Sequence, residues 1–289
     1  MRIYIVIPAY NEAAYISATL DSLIAQTYLP ARICIVDDNS TDATPDILRK
    51  FTSKHDFITT RKTDFEHQHL PGSKVVHAFR YGLDSLDDDY DIICKFDADL
   101  IFPENYLETI VNAFNSNPKL GLAGGFCYIQ REEEWVLENL TGPDHIRGAL
   151  KAYRKECYKE IGGLIPAMGW DTLDEMLALY YNWELKTIPE LKVKHLKPTG
   201  HSYHKSSRFH QGKAFYQMRY RWLLTFLATA KLSVRRRSLK YFWHSILGYL
   251  KAFINREPFL ITKEQGRFIR NYRWKGIAQT YLKAKIGSE

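Results

Sequence analysis

Through its first 120 residues the chain alternates short, β-branched apolar runs with segments of helical period. That alternation restricts the fold more than any other feature, because it is the pattern of βαβ units in a parallel sheet. IYIVI at 3–7 and RICIVD at 32–37 are continuous apolar runs suited to strands covered on both faces. Between them Ile16, Leu20, Leu23 and Ile24 share one helical face. Thr41 or Ser40 is placed to cap a helix over DATPDILRKF, with Pro45 in its first turn. A weaker strand, DFITTRK, is followed by a helix opening after Ser73, a strand over DIICKF and a helix opening at Pro103. Beyond residue 120 the pattern changes. LGLAGGFCYIQ reads as a strand with a glycine break, and GALKAYRKECYKEIGG as a helix ended by Gly162 or Gly163. DTLDEMLALYYNW reads as a helix, and LKTIPELKVKH as one or two short strands.

The ends of three strands carry the chemistry. They read PAYNE, DDNSTD and DAD, and ligands of open parallel sheets bind at the carboxyl ends of strands. Asp97 and Asp99 stand one residue apart at the end of a buried run. Two like charges there cost several kcal/mol unless a positive partner offsets them. Hard Mg²⁺ or Mn²⁺ does so through carboxylate oxygens and also takes phosphate oxygens. The same two residues also suit a solvated turn before Pro103. Asp38 can accept from a base imide N–H, and Tyr10 can stack on a flat base. Equally, Asp37 or Asp38 can cap the next helix, and Tyr10 can pack on a neighbouring loop.

Taken together and in order, IVIPAYNEAAYISATLDSL, VDDNSTD and FDAD resemble the family 2 glycosyltransferases. The segment from YRKECYKEIGGL to ELKVKH is similar to that family's acceptor side, so the resemblance covers about residues 1–200. It implies an α/β GT-A fold with a mostly parallel sheet, and an inverting, metal-dependent transfer of a sugar from a nucleotide-sugar donor to a hydroxyl. It also implies roles residue by residue. Pro8, Ala9, Tyr10 and Glu12 surround the nucleotide, Asp38 reads the base, and Lys74 is a basic residue near the donor. Asp97 and Ala98 stand near the ribose or metal. Asp99 coordinates Mn²⁺ or Mg²⁺, with Asp97 and His195 as further ligand candidates. The family's acceptor motif reads Glu-Asp, with the Asp as general base. Here Trp170 replaces the Glu, and Asp171 aligns with the base. Asp174 fits if the register slips, and helical spacing puts Asp171, Asp174 and Glu175 on one face. A UDP-sugar is favoured over a GDP-sugar, with a saccharide or lipid-linked acceptor and a role in surface polysaccharide or glycoconjugate synthesis.

Composition sets the wider frame. With 289 residues, 45% of them hydrophobic, the chain can build a sizeable core, which excludes disordered and collagen-like classes. Net charge is +7, but residues 201–289 hold 19 Lys+Arg against 3 Asp+Glu, and residues 1–200 hold 21 against 30. The split predicts a catalytic domain over 1–211 and a basic, aromatic-rich helical extension over 212–289. In the extension Phe215, Met218, Trp222 and Phe226 recur at helical spacing, as do Leu239, Phe242, Ile246, Leu250 and Phe253. That suits either an interfacial membrane helix or one packed on protein with its basic edge in solvent. HLKPTGHSYHKSSRFHQG is the expected linker. Cys34, Cys94, Cys127 and Cys157 form no CxxC and read as reduced, and MRIYIVIPAYNE is polar too soon for a signal peptide. The triplet NLT at 139–141 then reads as a chance glycosylation pattern. The expected location is cytoplasmic, with peripheral attachment to the inner face of a membrane open to the tail. Three rival readings remain, one of them a glycosyltransferase-like protein that has lost activity, for which Trp170 leaves room although the carboxylate set is intact. A sugar-1-phosphate nucleotidyltransferase would want a glycine-rich phosphate loop, which PAYNEAAY does not supply. A non-catalytic binding protein would use the basic tail, but no nucleic-acid motif accompanies it and no nucleic acid is expected.

Overall fold

The computed structural model describes residues 1–63, 72–138, 142–197 and 207–286. The NLT triplet and residues 198–206 of the expected linker lie outside the described residues. The chain divides into two compact units, Met1–Pro166 with Trp170–His201, and Ala167–Gly169 with Ser202–Glu289.

The first unit runs β1 (Ile3–Ala9), α1 (Ile16–Ile24), β2 (Arg32–Asp37), α2 (Thr44–Thr52), β3 (Ile58–Lys62), α3 (Ser73–Asp84), β4 (Ile92–Phe96), β5 (Leu100–Ile101) and α4 (Tyr106–Ser116). It continues β6 (Leu120–Arg131), β7 (Glu134–Leu137), β8 (Leu150–Arg154), α5 (Lys155–Glu160), α6 (Trp170–Tyr180) and β9 (Glu184–His195). Among the described residues these strands form one sheet ordered β3-β2-β1-β4-β8-β6-β9-β5, with β7 on β6. β3, β2, β1 and β4 are parallel, as their unbroken apolar runs require: Ile3 to Ile7 and Ile33 to Val36 are buried, flanked by strands and covered on both faces.

Beyond β4 the expected mostly parallel sheet becomes mixed. β8 runs antiparallel to both β4 and β6, β6 and β9 are parallel, and β5 is antiparallel to β9. The expected helix over 148–163 is therefore half wrong. Leu150–Arg154 is a strand, and only Lys155–Glu160 is helical. The Lys, Ala and Arg content favours a helix locally, but the slot between β4 and β6 decides, burying Leu150, Lys151, Ala152 and Tyr153. LKTIPELKVKH belongs to the single strand β9, irregular around Pro189. Opposite that irregularity sits Gly125, where a Cβ would run into the Leu191 carbonyl oxygen. In the β2–α2 loop it is Asp42, not Ser40 or Thr41, that receives the first helical amide, Thr44 N, at 2.9 Å.

The second unit comprises α7 (Ser207–Gln217), α8 (Arg221–Arg235), α9 (Leu239–Ile254) and α10 (Lys263–Ile286). The expected domain boundary at 211–212 falls inside α7. α7 and α9 cross where glycines face backbone: a Cβ on Gly212 would meet the Ser245 carbonyl, and one on Gly248 the Phe209 carbonyl. Arg219 and Arg221, both at positive φ, separate α7 from α8. The stripe expected from Phe215 to Phe226 is thus cut in two, with Phe215 and Met218 buried and Trp222 and Phe226 exposed. On α9 the buried face is Tyr241, Ser245, Ile246, Gly248, Tyr249 and Ala252, whereas Leu239, Leu250 and Phe253 of the expected stripe point outward. No helix among the described residues is long and apolar enough to cross a membrane.

Candidate active site

The sheet register gathers the polar strand ends. Ala9 pairs with Asp37 and Val6 with Lys95, so β1, β2 and β4 end side by side. Asp38 donates its amide to the Ala9 carbonyl at 2.8 Å. Its Oδ1 accepts from Thr63 Oγ1 at 2.7 Å, and Lys74 Nζ stands 3.7 Å from Oδ2. Lys74 also lies 5.7 Å from the centre of the Tyr10 ring, which is 49% exposed. Tyr10, Asp38 and Lys74 therefore form one cluster: an open aromatic face beside an anchored carboxylate and an ammonium. Pro8 and Ala9 are the strand residues behind it, paired with Val36 and Asp37.

The acidic triplet is shaped by long-range pairing. Asp97 N donates to Ala149 O at 2.8 Å, and the Ala98 carbonyl accepts from Thr19 Oγ1 at 2.8 Å. His195, the last residue of β9, pairs with Leu100, and Leu196 N donates to Asp99 O at 2.9 Å. This brings His195 Nε2 to 3.5 Å from Asp99 Oδ2, while its Nδ1 meets Glu138 Oε2 at 2.8 Å. Arg147 holds the same Glu138 oxygen at 2.9 Å. Burial works to lower the His195 pKa, but hydrogen bonds to Asp99 and Glu138 push it up to about 9. Asp97 forms an ion pair with Lys95, whose side chain is buried in β4. The triplet thus has two internal cations, and the expectation that a divalent ion alone offsets its charge is revised. Glu12 lies nearby, held by Lys197 at 2.9 Å; burial raises its carboxyl above the ordinary range.

Asp99 Oδ1 is buried with no hydrogen-bond partner among the described residues, and it sits on the carboxylate that faces His195. An open carboxylate oxygen on Asp99 suits Mn²⁺ or Mg²⁺ completed by water and phosphate oxygens, and His195 would join it by giving up the Nε2 proton that faces Asp99. Asp99 and His195 fit that role better than Asp97, which Lys95 already occupies. Cys127, Glu138 and His195 also place one ligand atom each within 4.8 Å of one another. Burial pushes the Cys127 thiol up to about 12 and Arg147 occupies Glu138, so this trio serves better as packing and support for His195.

Contacts continue from Asp97 to α6. Lys95 Nζ lies 5.4 Å from the Trp170 ring centre and Lys151 Nζ 5.8 Å from it. Where the resemblance expects a glutamate, the indole offers two buried ammonium groups its negative face. The next residue, Asp171, opens α6 with its side chain 33% exposed, and His145 Nε2 faces its Oδ2 at 3.5 Å. Burial works to raise Asp171, but the His145 contact and Lys151 hold its carboxyl below the usual range. The other His145 nitrogen meets Glu175 Oε2 at 2.8 Å. Burial works to lower His145, and Asp171 with Glu175 pushes it up to about 9.

Asp174 is differently placed. Both its oxygens accept from Lys151, at 2.7 and 2.9 Å, and Tyr153 donates its hydroxyl to Oδ2. Burial pushes its carboxyl up to about 6. Its oxygens are engaged inside the protein, whereas Asp171 reaches solvent. Sequence reasoning passed over Lys95, Glu138, His145, Lys151 and Lys197. The lysines inside the apolar runs IICKF and LKAYR were a visible signal, but His145, in the loop GPDHIRG, had none.

A parallel half-sheet ending in acidic loops, with an antiparallel return that brings a histidine to them, is the architecture of GT-A transferases. Solved structures agree. The chain matches TarS residues 1–349 from S. aureus in complex with UDP-GlcNAc at TM-score 0.58 and 19% identity, over 76% of this chain and 65% of that one. It matches the mannosyltransferase PcManGT from Pyrobaculum calidifontis, in complex with GDP-Man and Mn²⁺, at TM-score 0.58 and 17% identity, over 98% and 82%. The family model for Glycosyl transferase family 2 matches residues 4–169, and the chain belongs to that family and is a glycosyltransferase. Among curated relatives, a dolichyl N-acetyl-α-D-glucosaminyl phosphate 3-β-D-2,3-diacetamido-2,3-dideoxy-β-D-glucuronosyltransferase from Methanococcus voltae is 32% identical over 43% of this chain. Poly-β-1,6-N-acetyl-D-glucosamine synthase from Staphylococcus epidermidis is 24% identical over 61%. The chain spans 38% and 43% of the lengths of these two relatives.

Proposed function

We propose that the chain is an inverting, metal-assisted transferase that moves a sugar from a nucleoside diphosphate to a hydroxyl of a saccharide or lipid-linked acceptor. Tyr10, Asp38 and Lys74 hold the base end of the donor, with Pro8, Ala9 and Glu12 shaping the wall around it. Asp99 and His195 would hold Mn²⁺ or Mg²⁺, with Asp97 beside them. When bound, the ion supplies charge to stabilise the departing diphosphate. Asp171 accepts the acceptor proton as the acceptor oxygen bonds to the anomeric carbon and the carbon–diphosphate bond breaks. One displacement inverts that carbon. His145, held by Glu175, orients one Asp171 oxygen and leaves the other for the acceptor. Asp174 instead anchors α6 through Lys151.

The observation that carries this reading is the meeting of Asp99 with His195, linked through Asp97, Lys95 and Trp170 to a solvent-reaching Asp171. TarS with UDP-GlcNAc and PcManGT with GDP-Man support a nucleotide-sugar donor, and a UDP-sugar remains the favoured choice. The dolichyl-phosphate-linked sugar in one relative's name, and the polysaccharide in the other's, support surface glycan or glycoconjugate synthesis. With a lipid-linked acceptor the enzyme works at a membrane, on the cytoplasmic side that suits four free cysteines. The test is a donor screen followed by Asp171→Asn. The variant should keep donor binding and lose transfer, and the wild-type product should show inverted anomeric configuration by NMR. Retained configuration, or full transfer by the variant, sinks the mechanism.

A further inference from the structure

The α8–α9 hairpin buries Leu224, Tyr241, Ile246 and Tyr249, yet it also leaves a long apolar face open to solvent. A helical hairpin in water buries leucines and turns its hydroxyls outward. Here Thr225, Thr229 and Ser233 of α8, and Ser245 of α9, are buried. Large apolar side chains also face out: Trp222, Leu223 and Phe226 on α8, and Trp243, Leu247 and Phe253 on α9, with Trp243 62% exposed and Phe253 61% exposed. On α9, residues 239, 243, 247, 250 and 254 share one side and are all exposed and apolar. Phe226 and Phe242 touch edge to face at 5.4 Å, joining the two helices along this ridge. Small and hydroxylated residues between helices, with apolar ones outside, are what a lipid environment selects.

Charge identifies the occupant. α8 ends in Arg235, the turn to α9 carries Arg236 and Arg237, and Lys240 follows in the first turn of α9, all exposed. Residues 201–289 hold 19 basic against 3 acidic side chains. A second copy of the chain docking on the same ridge would carry the same excess of positive charge into the contact. A nucleic acid would leave the leucine and phenylalanine ridge without a partner. α8 and α9 hold 15 and 16 residues, about 22–24 Å at 1.5 Å each and short of the roughly 30 Å hydrocarbon core. They are long enough to lie in an interface and too short to span one.

We propose that the α8–α9 hairpin is a docking surface for an anionic lipid bilayer, with the apolar ridge among the acyl chains and the arginine turn at the headgroups. The proposal goes beyond glycosyl transfer and does not depend on which donor or acceptor the enzyme uses.

The experiment is co-sedimentation of the full chain with vesicles of phosphatidylcholine alone or mixed with phosphatidylglycerol. The wild type should partition at least about tenfold more strongly to the anionic vesicles at low salt. Trp243→Glu combined with Leu247→Glu should abolish binding, and triple substitution of Arg235, Arg236 and Arg237 by Ser should remove the anionic preference. Trp243 and Leu247 are exposed, so the Glu pair should melt as wild type does; the arginine variant gives up the Arg236 contact with the Tyr241 ring at 4.5 Å, and nucleotide binding by both variants should match wild type. Wild type left in the supernatant, or a Glu variant that sediments as well as wild type, overturns the proposal. So does a wild-type dimer in sedimentation velocity that the Glu pair dissolves, because the ridge would then belong to a second copy.

Discussion

Replacing Lys151 by Met tests whether the carboxylate at 174 is an anchor or a base. The Lys151 ammonium is fully buried. It donates to both oxygens of Asp174, to the Asp171 carbonyl and, at 3.4 Å, to Glu175. Removing it leaves two carboxylates buried side by side at the start of α6. Breaking such a pair from one side costs about 3–5 kcal/mol, because the surviving charge loses its partner in a medium that solvates it poorly. For a domain of this size that is roughly 2–4 °C of melting temperature per kcal/mol, so a drop on the order of 10 °C is expected. Asp174→Leu should cost a similar amount by stranding Lys151. The double variant removes both charges and should recover to within about 1 kcal/mol of wild type. Glu175 survives in it, still held by His145 and by the Ile146 amide at 2.8 Å. The assay is urea denaturation of the two single variants, the double variant and wild type, with glycosyl transfer measured on each folded protein. Transfer should persist in the double variant and vanish in Asp171→Asn. Single variants that lose less than about 1 kcal/mol would refute the electrostatic reasoning. A double variant as stable as wild type but inactive would move the base to Asp174.

Three further outcomes are expected. His145 has its pKa raised to about 9, so its folded-state proton adds stability that is complete below the ordinary histidine range near 6.5 and is lost as pH rises through 9; His145→Gln should flatten the melting temperature across that window. Gly125→Ala drives a methyl into the Leu191 carbonyl and should cost about 1–3 kcal/mol, seen as a lower melting temperature. Glu138→Ala releases the His195 ring, and Mn²⁺ affinity followed by electron paramagnetic resonance should fall about 10- to 100-fold.

The sequence made the first half of the sheet plain because β1, β2 and β4 are buried on both faces, and such strands must be apolar throughout. β8 was not legible: LKAYRKE has good local helix content, and only the gap between two distant strands makes its start extended. The helical unit shows a different limit. Periodicity groups Leu239, Phe242, Ile246, Leu250 and Phe253, but spacing does not say where protein contact ends, and the structure buries Ile246 while leaving Leu239 80% exposed. In the site, Asp38, Asp97, Asp99 and Asp171 stand out because each follows a strand or opens a helix. His145 and Glu138 act through partners at 171, 175 and 195, and nothing local marks them. Trp170 departs from the expected glutamate, and in its place the ring lies against two buried lysines.

The account rests on a nucleoside diphosphate held between the Tyr10–Asp38–Lys74 cluster and the Asp99–His195 pair. Calorimetric titration of UDP and of GDP, each with Mn²⁺ and again with chelator, tests that directly. One nucleotide should bind with a micromolar dissociation constant, about −8 kcal/mol, and chelator or Asp99→Ala should weaken it by tenfold or more. If both nucleotides fail to bind with Mn²⁺ present, or bind equally well to Asp38→Ala and Asp99→Ala, the site has been assigned to the wrong chemistry.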